Sequence, residues 1–467
     1  MVAFGAMHGS RKVLGLLALA ALLGCSRGSD SRPGPTATTT ATTGVSAAPA
    51  AATGGITFIE DDYPRALAEA KKKGVPLFVD AWAPWCHTCV SLRAYVLHDP
   101  ALEVASSKFV WLSIDTERES NAAFLKQYPM QFWPTLWVID AATEKPAMKW
   151  PGSLTTPELI TLLDDAADAV KNKSTGGDAG MALLRGDQAV AEGKRDDAIK
   201  AYREALAAAP AAWPRRARTV DSLVTQLAIG DDAACLALAE AELAKLPPGT
   251  NATNVAVGGL GCATKLPAAE PPAGAALADT VEKMAKDRSL KILADDRSGL
   301  FDGLNDWLGE RGKPAAARRA DNARAWATFL EAEAKAAPSK EARVVFDAHR
   351  QLAYLALGEH EKALAMLTES EKDFPADYNP PARLAKTYLE MGRLDDALAA
   401  VKRALGLAYG PRRLRIHHLE AKILSKKGDR AGAKRALAEA VKEGSSMTLT
   451  GSYAKTFESI RKEAEAP

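Results

Sequence analysis

Gly358 and Gly392 stand 392 − 358 = 34 residues apart, and each is followed five residues on by an alanine, Ala363 and Ala397. Tyr354 and Tyr388 keep the same interval. Gly193, Ala198 and Pro210 share their offsets with Gly230, Cys235 and Pro247 and with Gly358, Ala363 and Pro375, while Gly428 and Ala433 preserve the first of them. Such punctuation has a packing reason: a turn glycine separates two helices, a small residue lets them approach, and proline ends the second. One helix pair cannot bury its own apolar face, so pairs of this kind must stack. Residues 181–467, rich in Ala, Leu, Glu, Lys and Arg, are therefore expected to form an all-α stack. Between Gly249 and Lys340 only a unit around Gly312 and Ala317 can be traced, and an irregular helical region is the alternative there. Cys235 occupies the small-residue slot, so it is expected to be a packed core residue rather than half of a disulfide with Cys262; a bridge between the two, which export would permit, is the alternative.

Upstream the period changes. "ITFI" and "VPLFVDAWA" are apolar runs separated by the helix-spaced "DYPRALAEAKKKG", and "FVWLSID", "SNAAFLKQY", "TLWVID" and "TTPELITLLDDAADAV" continue the alternation through residue 170. This predicts an α/β domain over 56–170, its sheet covered on both faces, joined to the stack by a linker at 171–180. Functional groups on such a sheet gather beyond the C-terminal ends of the strands, where "WCHTC" lies. The unpaired N–H groups of a helix start stabilise a thiolate, which makes Cys86 the expected nucleophile; Cys89, one turn on, can displace a mixed disulfide from it. A zinc site would need two more ligands, and neither a second CxxC nor a spaced His pair accompanies this one, so no metal is expected at the cysteines and no other cofactor is implied. A purely structural bridge is disfavoured, because so small a ring removes little entropy from the unfolded chain.

These residues carry a resemblance. "VDAWAPWCHTC" and "FWPTLWVID" are similar to the active-site segment and the cis-proline loop of the thioredoxin family, and the 34-residue period resembles tetratricopeptide repeats. The resemblance implies a thioredoxin-like α/β fold with Cys86 attacking and Cys89 resolving, so that the two form the redox-active disulfide. It also implies that Trp85, Trp133, Pro134 and Thr135 line the substrate groove, and that Asp80 is a buried carboxylate taking the proton from the resolving thiol; a strand-end Asp80 facing solvent is the alternative. A carboxylate in a buried strand run has a raised pKa, which suits that role. The chain departs from the pattern at three places. Trp111 stands where many reductive thioredoxins keep a lysine, which would deprive Asp80 of a charge partner. Trp133 is larger than usual beside Pro134. His87 precedes the position at which oxidising relatives carry their histidine, and is as well read as a surface helix residue.

The 467 residues exceed a single core, and 60 Lys and Arg against 58 Asp and Glu give no electrostatic reason to expect nucleic acid as a partner. At the start, Arg11 and Lys12 precede "VLGLLALAALL", an export-signal pattern over 1–24. "LLGC" resembles the lipobox of bacterial lipoproteins, which implies lipid attachment at Cys25 and a place in the cell envelope facing the periplasm; an ordinary cleaved signal or a short membrane helix is the alternative. Residues 25–55 hold no aromatic side chain and read as a tether from that anchor. Membrane contact is then expected through the lipid alone. Two functions remain open. One is a thiol–disulfide oxidoreductase, by resemblance a reductase, whose repeats bind disulfide-bearing protein clients or a redox partner protein. The other is a repeat adaptor whose thioredoxin fold is a binding module with little turnover.

Overall fold

The computed structural model describes residues 56–466 except 131, 173–176, 211, 268–270 and 450. The signal segment, Cys25 and the tether lie outside the described residues. The N-terminal part contains strands β1 (Ile59–Glu60), β2 (Leu77–Trp82), β3 (Val110–Asp115), β4 (Thr135–Asp140) and β5 (Lys145–Pro151), with helices α1 (Tyr63–Lys73), α2 (His87–Leu92), α3 (Ala122–Gln127) and α4 (Thr156–Asn172). The sheet order is β1-β3-β2-β4-β5. β2 runs parallel to β3 and antiparallel to β4, so the central strand is hydrogen-bonded along both edges.

Period-2 alternation divides the sheet. Phe78, Trp111, Leu136, Val138 and Trp150 meet Leu159, Leu162 and Leu163 of α4 on one face. Leu77, Val79, Leu112, Ile114, Trp137 and Ile139 meet Ala66, Leu67 and Ala70 of α1 and Phe124 of α3 on the other. The α/β expectation holds, with one strand beyond it. β5, "KPAMKWP", carries prolines near both ends and no apolar run, which an edge strand tolerates because its outer N–H groups need no ladder partner.

Beyond residue 176 the described residues form only helices: α5 (Gly177–Ala191), α6 (Arg195–Ala208), α7 (Arg216–Leu227), α8 (Asp232–Glu242), α9 (Thr250–Lys265), α10 (Ala275–Lys286), α11 (Ala294–Gly309), α12 (Ala316–Ala336), α13 (Lys340–Val344), α14 (Asp347–Leu357), α15 (His360–Asp373), α16 (Asn379–Glu390), α17 (Leu394–Leu407), α18 (Arg412–Lys427), α19 (Arg430–Ser445) and α20 (Gly451–Glu465), with short 3-10 turns between some of them. None of the described helices is long and apolar enough to cross a membrane. The repeat positions act as their spacing implies. Gly358 ends α14 in the left-handed conformation, φ 73°, where its N–H caps the helix and a side chain would be strained. Ala198, Ala363 and Ala397 are fully buried at the helix crossings.

Cys235 corrects one expectation. It is fully buried in the small-residue slot, as its register requires, but it is also bonded to Cys262, with their Cα atoms 6.2 Å apart. The two roles are compatible, because a buried cysteine facing the neighbouring helix can fill the small-residue slot and still bond a cysteine of α9. The bridge closes a loop across a sequence separation of 27. Replacing both cysteines by alanine is expected to cost about 3–4 kcal/mol from the entropy returned to the unfolded chain. Urea unfolding without reductant checks this, and an unchanged midpoint would assign the pair no stabilising role.

Candidate functional site: a dithiol under the solenoid

β2 delivers the chain to the site as a wholly buried run, and α2 starts at His87 with Cys86 as its N-cap. Cys86 and Cys89 form a disulfide, Cα atoms 5.2 Å apart, and the Cys89 backbone N–H donates to Cys86 Sγ at 3.0 Å. That N–H is positioned to stabilise a Cys86 thiolate once the bridge is reduced. The Trp133–Pro134 peptide is cis. Trp85 and Trp133 pack on the cysteine pair, their ring centroids 5.3 Å apart, and the Thr135 hydroxyl donates to the Phe132 carbonyl.

Asp80 is buried on the same face of β2 as Phe78, and neither of its carboxylate oxygens has a hydrogen-bond partner. Burial pushes its pKa up to about 7, opposed by the nearby Arg93 cation and assisted by Glu60. Arg93 revises the expectation that Asp80 lacks a positive neighbour. Trp111 does occupy its strand position opposite Phe78. The cation instead comes from the helical turn Arg93–Leu97 that continues α2; there Arg93 lies over the Trp82 ring and donates to the hydroxyl of Ser113, the β3 residue paired with Asp80.

Beyond the strand ends the site is covered. Cys86 is only 5% exposed and Cys89 is fully buried. One carboxylate organises the cover: Glu117 Oε1 accepts from Trp85 Nε1 at 2.7 Å and from the Tyr453 hydroxyl of α20 at 2.6 Å, while Oε2 accepts from the Arg412 backbone N–H at 2.7 Å. Desolvation outweighs these donors and holds the Glu117 carboxyl above its usual range. The Tyr453 ring stands edge-on to both Trp85 and Trp133, and the Arg412 guanidinium lies over Trp85. Asn379 of α16 donates to the Pro84 carbonyl at 3.1 Å, and Tyr409 donates to Asp115 Oδ2 at 2.6 Å. Gly410 is obligatory at this junction, since a Cβ there would collide with the Glu117 carbonyl and its φ is 56°.

His87 is likewise not a free surface histidine. Its Nδ1 lies 2.8 Å from Asp295 Oδ1 of α11 and 3.0 Å from His349 Nε2 of α14. Sequence reading names Cys86 and Cys89 from their spacing and place, and Asp80, Trp85, Trp133, Pro134 and Thr135 through the resemblance, but not Glu117, Tyr453, Arg412 or the His87 partners. Tyr453 reaches Glu117 across 336 residues, and no local spacing encodes such a contact.

Comparison with known proteins follows the same division. Residues 58–141 match the family described as Thioredoxin-like, and residues 354–423 match the Tetratricopeptide repeat. Among curated proteins, the chain is 32% identical over 82 residues to the thiol:disulfide interchange protein DsbD of Pseudoalteromonas atlantica, covering 17% of this chain and 14% of that one. It is 34% identical over 106 residues to the DsbD of Cronobacter sakazakii, covering 22% and 18%. The chain thus spans less than a fifth of the length of these relatives. Among solved structures, a tetratricopeptide repeat protein from Parabacteroides merdae is 12% identical, with 62% of this chain and 100% of that one covered and a TM-score of 0.35.

Proposed function

We propose that this protein is an exported, membrane-tethered thiol–disulfide oxidoreductase that works in the reducing direction and whose repeats bind its client or redox partner. The observation that carries the reading is the Cys86–Cys89 pair at the start of α2, directly after a strand that buries the unpartnered carboxylate of Asp80. In the reduced protein the Cys86 thiolate attacks a client disulfide, forming a mixed disulfide and releasing one client thiolate. Asp80 takes the proton from the Cys89 thiol, and the Cys89 thiolate then displaces the second client sulfur. The client leaves as a dithiol, the Cys86–Cys89 bridge closes, and a thiol-based electron donor must reopen it. Partial likeness to two interchange proteins supports this chemistry. The buried Cys235–Cys262 bridge supports an oxidising compartment, in keeping with export and with Cys25 as the lipid anchor.

The adaptor reading also has an observation in its favour, since the protein's own solenoid covers Cys86. A trapping experiment separates the two. Cys89→Ala in the full chain removes the resolving thiolate, so reductant-sensitive adducts are expected to accumulate on Cys86 and to vanish in the Cys86→Ala, Cys89→Ala double variant. Absence of adducts while Cys86 still alkylates would favour the adaptor.

A further inference from the structure

The first intervening residue of "CHTC" belongs to a second constellation that uses neither cysteine. His87 of α2, Asp295 of α11 and His349 of α14 direct Nδ1, Oδ1 and Nε2 at one another, with separations of 2.8 Å for His87–Asp295, 3.0 Å for His87–His349 and 3.2 Å for Asp295–His349. The Asp295 side chain is fully buried, that of His349 is 2% exposed and that of His87 29%. The rings of His87 and His349 meet edge to face, centroids 4.0 Å apart, and His349 packs against Trp326.

Hydrogen bonding alone serves this triangle poorly. If both imidazoles donate to Asp295 Oδ1, two N–H groups crowd together across 3.0 Å; if one does not, two lone pairs face each other. The polar burial is also incomplete, because Asp295 Oδ2 and His349 Nδ1 are buried without a hydrogen-bond partner. A cation satisfies the geometry at once. Bonds of about 2.0 Å to nitrogen and oxygen require ligand atoms about 3.3 Å apart in a tetrahedral site, so the triangle needs to open by only a few tenths of an ångström. The Thr88 hydroxyl lies 3.2 Å from His87 Nδ1.

We propose that His87, Asp295 and His349 form a binding site for a first-row divalent metal ion, with zinc the best match. Two imidazoles and one carboxylate suit such ions, whereas calcium and magnesium prefer oxygen-only ligand sets. His87 comes from the redox turn and the other two from the solenoid, so the bound ion clasps the cover onto the helix that carries the dithiol.

The test uses the full chain, stripped of metal and with Cys86–Cys89 oxidised so that no thiolate competes. Cobalt(II) titration should give tetrahedral d–d absorption saturating at one equivalent, and zinc should displace it. His87→Ala, which removes a partly exposed side chain and spares both cysteines, should weaken cobalt binding by about 100-fold or more, as should His349→Ala. His87→Ala carries the test if the buried histidine variant does not fold. No saturable cobalt or zinc binding by the parent chain, or binding of equal strength in His87→Ala, would overturn the proposal.

Discussion

Tyr453→Ala is expected to speed alkylation of reduced Cys86 by iodoacetamide by about 10- to 100-fold, with the protein still folded. With Cys86 5% exposed, reagent access requires the cover to open, and the alkylation rate follows the opening equilibrium when reclosing is fast. Tyr453 contributes twice to the closed form, through its hydroxyl on Glu117 and its ring against Trp85 and Trp133. A hydrogen bond to a carboxylate contributes about 1.5–3 kcal/mol and an aromatic pair about 0.5–1.5 kcal/mol, so part of this sum already gives one to two decades. Tyr453→Phe keeps the ring and removes the hydroxyl, and is expected to fall between the parent and Tyr453→Ala. The same order should hold for reduction of a disulfide client if the cover governs entry. Equal alkylation rates in all three proteins would show that α20 does not limit access to the thiol.

What the sequence makes legible here is whatever is local. The strand run ending at Trp82, the CxxC after it and the proline before β4 lie within short windows, and each obeys a rule that acts over one strand or one helical turn. The repeats are legible for the same reason, since Gly358 and Ala363 answer to the packing of a single helix pair. Three features lie outside such rules. β5 is an edge strand whose prolines hide it from a hydrophobic-run criterion. The Cys235–Cys262 bridge depends on how close two packed helices come, which the small-residue slot implies only once both helices are placed. The cover depends on contacts between parts of the chain some three hundred residues apart, in which Arg412 and Tyr453 meet Glu117; Glu117 itself, just past the end of β3, looks like any loop carboxylate in sequence.

Asp80 was legible as a buried acid, and its environment sets opposed expectations for stability and for rate. Its pKa in the folded chain, about 7, lies above the ordinary value of 3.8, so the folded state holds the proton more tightly than the unfolded state. Between about pH 4 and 7 folding therefore takes up a proton, and the stability contributed by protonated Asp80 is lost as pH rises through that window. Above pH 7 the buried charge carries its full cost, about 4 kcal/mol for a shift of some three units at about 1.4 kcal/mol each. Asp80→Asn removes the charge but leaves an amide in the same partnerless place, so the gain in urea stability at pH 8.5 is expected to be about 2–4 kcal/mol and to vanish near pH 4. The rate should move the other way. Without a base to accept the Cys89 proton, release of the client from Cys86 is expected to slow by about 100-fold, and the rise in rate near pH 7 should disappear. A variant that is stabilised at pH 8.5 yet keeps the parent's pH–rate profile would leave Asp80 a buried charge with no part in proton transfer. A variant no more stable than the parent at pH 8.5 would mean that the Arg93 cation already neutralises the cost of burial.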